Sequence, residues 1–273
     1  KANLTVAVNN DAKFVTQADN ASYTGLSFGG LVAGDTGASA VTNSTIVRAN
    51  AGTELAGTYS GVLTVPNITS ANYNLALQAG SFTIVPADQL LVKTANVNTT
   101  YGTAFNPTVN SVQYMNSTNV ITNLTLSSQT GNTYTYSDGV GGQAVFTLGA
   151  IGANTSTSGN TVVGVYQVGA SNVSTQNAAN FNNNLTVVGS LVVDKANITG
   201  VTGLTLSDKA YDGTTNAAFN VTNANFTGKI AGDVLVLSGG SGGFSSKNVG
   251  SGINVSVVNL TLGGADASNY NVV

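Results

Sequence analysis

The sequence predicts a mostly-β protein in which small β domains, such as sandwiches, follow one another in an extended rod with at most short helices. The chain is rich in Asn, Thr, Ser, Gly, Ala and Val, and poor in the Glu, Lys and Arg that favour helices. Apolar and polar residues alternate along several short runs. Segments of the chain also repeat one another, which indicates a series of similar folding units.

The alternating runs predict strands with one apolar face. In NLTVAV, the side chains of Leu4, Val6 and Val8 fall on one face. The runs SFTIV, NLTLS, GLTLS and NVSVVNLTL show the same period of two. Gly-rich stretches at 139–143 and 238–246 lie between such runs, where turns tolerate positive φ angles.

Two pairs of matching segments define the repeats. FGGLVAGD at 28–35 matches FTGKIAGD at 226–233, and SANYNL at 70–75 matches ASNYNV at 267–272. The spacing agrees, because 58 residues separate Phe14 from Asn72 and also Tyr211 from Asn269. A longer middle copy opens at TTYGTAFNPT and closes at AANFNNNLTVV. We therefore expect three repeats, 1–87, 88–196 and 197–273, of which the last lacks its closing strand.

The composition lacks most of the residue types that catalysis and metal binding use. The chain has no Cys, His or Trp, and only 7% of its residues are charged, so we expect no enzyme, no cofactor and no metal site. Asp208, Asp212, Asp233 and Asp266 do not form a calcium-loop pattern. A Lys–Asn crosslink needs a buried acid beside it, and since Glu54 is the only Glu, we do not expect one.

Charge and hydropathy argue against two classes of partner. The net charge is −3, and the eight cations are scattered singly along the chain, so no basic patch for nucleic acid is expected. No uncharged apolar run approaches the length of about 18 residues that a membrane-spanning helix needs. We therefore expect no membrane insertion.

The recurring polar–aromatic pairs are interpreted as structural. In Asn72-Tyr73, Asn180-Phe181 and Asn269-Tyr270, we expect the Asn to tie a turn and the ring to fill the core. Tyr211-Asp212-Gly213 is interpreted as a ring packed on the sheet followed by an Asp-Gly turn, with a ligand site as the alternative. The expected core contains Leu4, Val6, Phe28, Phe82, Ile84, Phe105, Leu124, Leu126, Leu204, Leu206, Tyr211, Phe226 and Tyr270.

Two of these segments carry a family resemblance. DKAYDGTTNA at 208–217, with the residues that follow it up to 272, resembles the YDG-type repeat of large secreted bacterial adhesins related to filamentous haemagglutinin. TTYGTAFNPT and the first repeat, with AGDT, ANYN and GSFTIVPA, are similar to the MBG-type repeats of such proteins. The resemblance implies a β-grasp-like fold with one short helix after Asp35 and another after Asp233, each Asp acting as an N-cap.

The resemblance also implies a location and a role. It suggests an extracellular, secreted array on the bacterial cell surface, of the kind that serves cell adhesion and biofilm formation. The chain is then a non-catalytic stalk segment that projects a binding region. Its partners are neighbouring repeats or other protomers, and host or matrix glycans reach only regions outside this segment.

Two alternatives to the stalk stay open at the level of sequence. The first is a self-assembling fibre, in which the incomplete last repeat receives the NLTVAV strand of another protomer by donor-strand exchange. The second is a carbohydrate-binding module, against which the absence of Trp counts.

Glycosylation is a further expectation. The chain contains fifteen Asn-x-Ser/Thr sequons, and strand alternation places Asn and Thr together on the solvent face. The candidate acceptors are Asn3, Asn67, Asn123, Asn184, Asn197 and Asn259.

Overall fold

A computed structural model describes residues 1–273, and strands dominate it. The chain divides into two compact units. Unit 1 contains residues 1–99, 103–153 and 164–194, and unit 2 contains residues 100–102, 154–163 and 195–273. The fold is mostly β, as the alternating runs predict.

The first repeat forms two sheets in unit 1, ordered β3-β1-β6 and β2-β7-β5-β4. Its elements are β1 (Ala2–Val8), β2 (Asp11–Phe14), β3 (Leu26–Gly29), α1 (Gly37–Ala40), β4 (Val47–Arg48), β5 (Gly57–Thr64), β6 (Tyr73–Gln78) and β7 (Gly80–Val85). The inward residues of both sheets share one core, which includes Leu4, Val6, Leu63, Phe82 and Ile84. In β7, burial follows the alternation, with Phe82 and Ile84 inside and Ser81 and Thr83 only partly buried.

The middle repeat also forms two sheets in unit 1, ordered β11-β10-β8-β16 and β12-β13-β14-β15-β17-β9. Its elements are β8 (Leu90–Thr94), β9 (Val97–Thr100), β10 (Val109–Met115), β11 (Ile121–Asn123), β12 (Thr125–Thr130), β13 (Thr133–Ser137), β14 (Gln143–Ala150), β15 (Gly164–Gln176), β16 (Leu185–Val188) and β17 (Ser190–Asp194). Its core stacks three aromatic rings, those of Tyr134, Tyr136 and Phe146.

The third repeat, in unit 2, has small sheets. Its elements are β18 (Ala196–Ile198), β19 (Gly200–Thr202), β20 (Thr205–Leu206), β21 (Asn216–Ala217), β22 (Phe219–Asn220), β23 (Asn225–Thr227), β24 (Val236–Phe244), β25 (Val255–Gly263), a 3₁₀ turn (Ala267–Asn269) and β26 (Tyr270–Val272). Ile198, Leu235 and Tyr270 are its largest buried apolar residues. Its interior is therefore far smaller than the two cores of unit 1.

A parallel strand pair is common to the three repeats. The first strand of each repeat pairs in parallel with a strand near its end: β1 with β6, β8 with β16, and β18 with β26. Parallel neighbours require a long crossover, so in each repeat the intervening strands lie between the two members of this pair in sequence. The strand β1, which carries NLTVAV, lies between β3 and β6, with Leu4 and Val6 fully buried. The prediction that this run is a free donor strand is therefore wrong.

The helix prediction is wrong in two respects. Helix α1 begins after Thr36, whose side chain accepts a hydrogen bond from the Ser39 backbone N–H, so Thr36 is the N-cap. No helix follows Asp233, because β24 begins at Val236. Asp35 and Asp233 bind tyrosine hydroxyls instead.

Three residues of the expected core are exposed: Leu126, Leu206 and Tyr211. Leu126 lies on β12, the edge strand of its sheet, and Leu206 lies on the two-residue strand β20. Alternation alone cannot show whether a second layer covers a strand. The helices of the structure are too short to cross a lipid bilayer.

Candidate functional site

The polar group that recurs between repeats is an Asp–Tyr pair. In the first repeat, the hydroxyl of Tyr73 donates a hydrogen bond to Oδ2 of Asp35. The backbone N–H of Val32 donates to the same hydroxyl at 3.0 Å. A turn brings these groups together, because the N–H of Asp35 donates to the Val32 carbonyl at 2.9 Å and Gly34 adopts a φ of +93°.

Unit 2 contains the same group with an additional tyrosine. Tyr270 donates to Oδ2 of Asp233 at 2.5 Å and accepts from the N–H of Ile230 at 2.9 Å. The hydroxyl of Tyr101 donates to the same Oδ2 at 2.6 Å. The rings of Tyr101 and Tyr270 meet edge to face, with 5.4 Å between their centroids. One carboxylate oxygen thus accepts from two phenols.

Burial and hydrogen bonding act in opposite directions on Asp233. Burial by itself raises the pKa of this carboxyl, but hydrogen bonds from Ser158, Tyr101 and Tyr270 outweigh it and hold the pKa below its usual value. Burial and the bond to Asp233 raise the pKa of Tyr270 and that of Tyr101. At neutral pH the group is therefore an ionised acceptor between two neutral donors.

A second carboxylate holds a loop within unit 2. Asp266 accepts from the backbone N–H of Thr157 at 3.1 Å and from that of Val234 at 2.8 Å, and also from the Thr157 hydroxyl. Burial by itself raises the pKa of Asp266. The hydrogen bonds lower the pKa by more than burial raises it, so the net shift is downward. Nearby, Oδ1 of Asn269 accepts from the N–H of Val163 at 3.1 Å.

These groups fasten chain segments together through hydrogen bonds. No group of three or more His, Cys, Asp or Glu side chains is placed to hold a metal ion. The four aspartates of the last repeat are divided, because Asp208 and Asp212 line an open groove, whereas Asp233 and Asp266 are buried. The carboxylates serve as hydrogen-bond acceptors for tyrosine, threonine and backbone N–H groups.

Comparison with known proteins places these pairs in two domains. Residues 4–83 match the family model of the MBG domain (YGX type), and residues 194–273 match that of the YDG domain. The chain carries an MBG domain and a YDG domain. The resemblance of the first repeat to the MBG type and of the last repeat to the YDG type is thereby confirmed, and the MBG-like character of the middle repeat stays a prediction. No curated protein and no solved structure matches the chain.

The Tyr-Asp-Gly segment of the YDG domain contains the expected turn but not the expected packed ring. Oδ1 of Asp212 accepts from the N–H of Thr214 at 2.9 Å, and Gly213 has a φ of +78°. The ion pair with Lys209 lowers the pKa of Asp212 to about 2. The side chain of Tyr211 is 65% exposed and lines an open groove of about 620 Å³ with Lys209, Asp212 and Asn248. The prediction that Tyr211 belongs to the core is wrong.

The Asn–aromatic pair of the middle repeat is anchored differently. Phe181 is buried against the ring of Tyr114, with 5.4 Å between centroids. Nδ2 of Asn180 donates to Oδ2 of Asp138 at 3.1 Å. Phenylalanine has no hydroxyl, so this repeat has no phenol–carboxylate bond at the position of Tyr73 and Tyr270. In the MBG domain Asn72 is exposed, whereas Asn269 is buried.

The candidate glycosylation sites all face solvent. The structure leaves six acceptor residues exposed: Asn3, Asn67, Asn123, Asn184, Asn197 and Asn259. Exposure permits glycan attachment but does not demand it, and their modification stays a prediction.

Sequence reasoning missed an ion cluster in the MBG domain. Nζ of Lys13 lies 2.8 Å from Asp19 and 2.6 Å from Glu54. Arg48 donates to both oxygens of Asp19 at 2.8 and 2.9 Å, and its guanidinium stacks 4.1 Å from the Phe82 ring centroid. These residues come from segments far apart in sequence, so no motif signals them.

The cluster places the single Glu beside a buried Lys, which the sequence does not lead us to expect. Burial tends to lower the pKa of Lys13, but the hydrogen bonds that its ammonium group donates to Asp19 and Glu54 outweigh it, so the net shift is upward. Lys13 therefore stays protonated and is a poor nucleophile. We interpret the cluster as a structural ion network.

Proposed function

We propose that the chain is a non-catalytic structural segment in the stalk of an extracellular bacterial adhesin, projecting a binding region from the cell surface. MBG and YDG domains are repeat domains typical of extracellular adhesin-like proteins, and both are present. The stalk role, the cell-surface location and the dependence on neighbouring repeats are our inference.

The apolar joint between the first and middle repeats is the observation that carries this proposal. A buried cluster there combines Ala12, Phe14 and Val85 of the first repeat with Leu91, Met115 and Val188 of the middle repeat. Small domains connected only by a flexible linker share no such core. A shared core fixes the relative orientation of two successive repeats, which is what a stiff spacer under tension requires.

The test is replacement of the segment in the producing bacterium. Residues 1–273 are exchanged for an unrelated β-repeat segment of equal length, and surface display and adhesion are both measured. We expect display and adhesion to persist with the replacement and adhesion to decline when the segment is deleted. If the replacement is displayed normally but adhesion is lost, the segment itself binds the target, and the stalk proposal is wrong.

A fibre subunit is the second candidate, favoured by the open edge of β25. Strand β5 ends nine residues before Tyr73, and strand β25 ends seven residues before Tyr270. The two strands therefore occupy similar positions in their repeats. β5 has a neighbour on each side, whereas β25 pairs only with β24. Val255, Val257, Leu260 and Leu262 on this strand are half-buried. Such an edge accepts a further strand.

Sedimentation distinguishes the two candidates. A fibre subunit forms polymers as its concentration rises, and Val258→Lys, at an exposed position of β25, should abolish them because edge lysines oppose strand pairing. Monomers at every concentration would eliminate the fibre. Because β1 belongs to the core of the first repeat, any donor must be a segment other than NLTVAV.

A further inference from the structure

The Asp–Tyr groups of the MBG and YDG domains are alike in their internal geometry. Alignment of the repeats pairs Val32 with Ile230, Asp35 with Asp233, and Tyr73 with Tyr270. In both domains the tyrosine hydroxyl donates to the aspartate, and the backbone N–H at the Val32 or Ile230 position donates to the hydroxyl. The two groups are therefore two copies of one structural feature.

The two copies differ in what covers them. The side chain of Asp233 is only 4% exposed, and Tyr101 donates to it. Gly102 lies against Ile230, where a Cβ on Gly102 would come within 2.6 Å of the isoleucine side chain. Residues 154–163 complete the cover, since Val163 donates to Asn269 and Ser158 lies against Gly232.

In the MBG domain the matching surface is bare. We call Val32, Asp35, Asn72 and Tyr73 the Asp35 surface. Asp35 and Asn72 are exposed, whereas their counterparts Asp233 and Asn269 are buried. Val32 is 53% exposed, whereas Ile230 is partly buried. Only the Tyr73 ring is covered, by its own domain. The acceptor carboxylate, the apolar contact and the amide are thus present without a partner segment.

We propose that the Asp35 surface is the docking site for the Tyr-Gly segment and the 154–163-type loop of a like module joined ahead of residue 1. The incoming tyrosine hydroxyl donates to Asp35, its glycine packs on Val32, and a backbone N–H of the loop donates to Asn72. This inference rests on the proposed tandem array, and it adds the contact through which one module fixes the next.

A folded module fits this surface better than a free peptide. The cover in unit 2 comes from residues 100–102 and 154–163, which lie about fifty residues apart, so only a folded domain holds them together. The joint is also alike, because Lys1-Ala2-Asn3 matches Lys195-Ala196-Asn197 at the start of the first strand of each domain.

Covalent connection favours a tandem module over a second copy of the chain. The contact consists of a few hydrogen bonds and one small apolar contact, which is less than a stable interface between separate proteins needs. Connection through a short joint raises the effective concentration to about the millimolar range. A weak contact then becomes well populated.

The test uses a tandem chain in which residues 1–194 precede the full chain of residues 1–273. The fusion reproduces the natural joint, because Asp194 is followed by Lys1-Ala2-Asn3 in place of Lys195-Ala196-Asn197. Hydrogen exchange is measured at the Val32 and Asp35 amides of the full-length copy. We expect exchange to slow about tenfold relative to the natural chain. Tyr101→Ala in the leading copy should return it to the natural rate, and Tyr101→Phe should return it in part.

A disulfide provides a second measurement that does not depend on exchange rates. A Cβ on Gly232 would lie 3.2 Å from that of Ser158, close to disulfide geometry, and the chain has no Cys of its own. Ser158→Cys in the leading copy is combined with Gly34→Cys in the full-length copy. The matched control is Ser158→Cys with Gly232→Cys in the natural chain, since Gly34 and Gly232 have φ angles of +93° and +92°.

The outcomes separate the possibilities. Slowed exchange and a crosslink in the tandem chain support docking. Unchanged exchange, with the leading copy as protected as in the natural chain, overturns it, and so does a crosslink in the control pair alone. Protection of the Asp35 surface that grows with concentration in the natural chain would assign the surface to a second copy and also overturn the proposal. None of these results bears on surface display or adhesion, so failure here is distinct from failure of the stalk role.

Discussion

At the scale of single residues, Tyr73 and Tyr270 offer a matched comparison of one hydrogen bond in two environments. Both hydroxyls donate to an aspartate and accept a backbone N–H, but Asp35 faces solvent and Asp233 is buried. We expect Tyr270→Phe to destabilise unit 2 by about 2 kcal/mol, because it removes a donor from a buried charge. Tyr73→Phe should cost less than about 1 kcal/mol, since water can replace the hydroxyl at Asp35.

Hydrogen exchange at the amides of β26 and of β6 measures these two effects in the intact chain. Asp233→Asn in the Tyr270→Phe background serves as a control, because it removes the buried charge and should recover part of the loss. Equal losses for the two tyrosine variants would contradict the role assigned to burial.

Asp11 predicts a pH effect in unit 1. Burial raises the pKa of its carboxyl, and the Ala12 N–H and Lys93 only partly oppose this; one carboxylate oxygen has no hydrogen-bond partner. A raised folded-state pKa means that the protonated form stabilises the fold. That contribution is complete below the unfolded-state pKa of about 3.9 and is lost as the pH rises through the folded-state value.

Asp11→Asn should therefore make unit 1 more stable by about 1 kcal/mol at pH 7, since it removes an unpaired buried charge. The advantage should disappear near pH 3. Urea unfolding of the variant and the natural chain at several pH values tests this, and a difference that stays constant with pH would refute it. Asp19→Asn is a contrasting control. Hydrogen bonds from Lys13 and Arg48 outweigh burial at Asp19 and lower its pKa, so that variant should lose stability at neutral pH.

At the scale of elements, two glycines lie where the chain passes from one strand to the next near the end of a repeat, between β6 and β7 and between β16 and β17. Gly80 precedes Phe82 in β7, and Gly189 lies just before β17, at the same repeat position. A Cβ on Gly80 would lie 2.6 Å from the Val8 carbonyl oxygen, which is backbone and cannot rotate away. A Cβ on Gly189 would collide with the side-chain oxygen of Thr94, which a rotation or a substitution can remove.

We expect Gly80→Ala to destabilise the first repeat by about 2 to 3 kcal/mol, as overpacking does. Gly189→Ala should also destabilise, but adding Thr94→Ala should restore part of the loss, with a coupling of about 1 kcal/mol. Urea unfolding of the single and double variants measures both. A Gly80→Ala variant as stable as the natural chain would show that β1 and β7 can separate at no cost.

The sequence predicts individual strands well and their partners poorly. Period-two alternation identified β1, β7 and β25, because one-sided burial leaves its mark within a few residues. It could not show that Leu126 lies on an edge strand or that β1 is central, since these depend on strands far away in sequence. The spacing of repeated motifs brought Asp35 and Tyr73 to attention, but not their contact. The N-cap prediction was wrong because the carboxylates of Asp35 and Asp233 accept hydrogen bonds from tyrosine hydroxyls and not from helix amides.

Part of the candidate site had no local signal at all. Tyr101, Thr157 and Ser158 lie in the middle repeat but contact the YDG domain, and no short motif reports a contact between distant segments. The ion cluster of Lys13, Asp19, Arg48 and Glu54 is similar. Its four charges neutralise one another only after the chain has folded, so sequence shows them as isolated charges.

At the scale of the whole molecule, the two units differ in how much apolar surface they bury. Unit 1 contains fully buried Phe14, Phe82 and Phe146, whereas Ile198 is the single residue of unit 2 among the largest fully buried side chains. Burial of a large apolar side chain contributes about 1.5 to 3 kcal/mol. Unit 2 therefore rests on its hydrogen bonds to Asp233 and Asp266 more than on a core, and it should unfold first.

We expect hydrogen exchange in a urea series to show two transitions, with amides of 196–272 losing protection at lower urea than those of β14 or β7. The loop 154–163 gives the most direct test of which contacts order it. It lies between β14 and β15 of the middle repeat but packs within unit 2, so its amides should follow the YDG domain and not its own repeat. Leu235→Ala should shift the early transition alone, and Phe146→Ala the late one alone. Loss of protection at 154–163 together with β14 would mean that the YDG contacts do not order this loop.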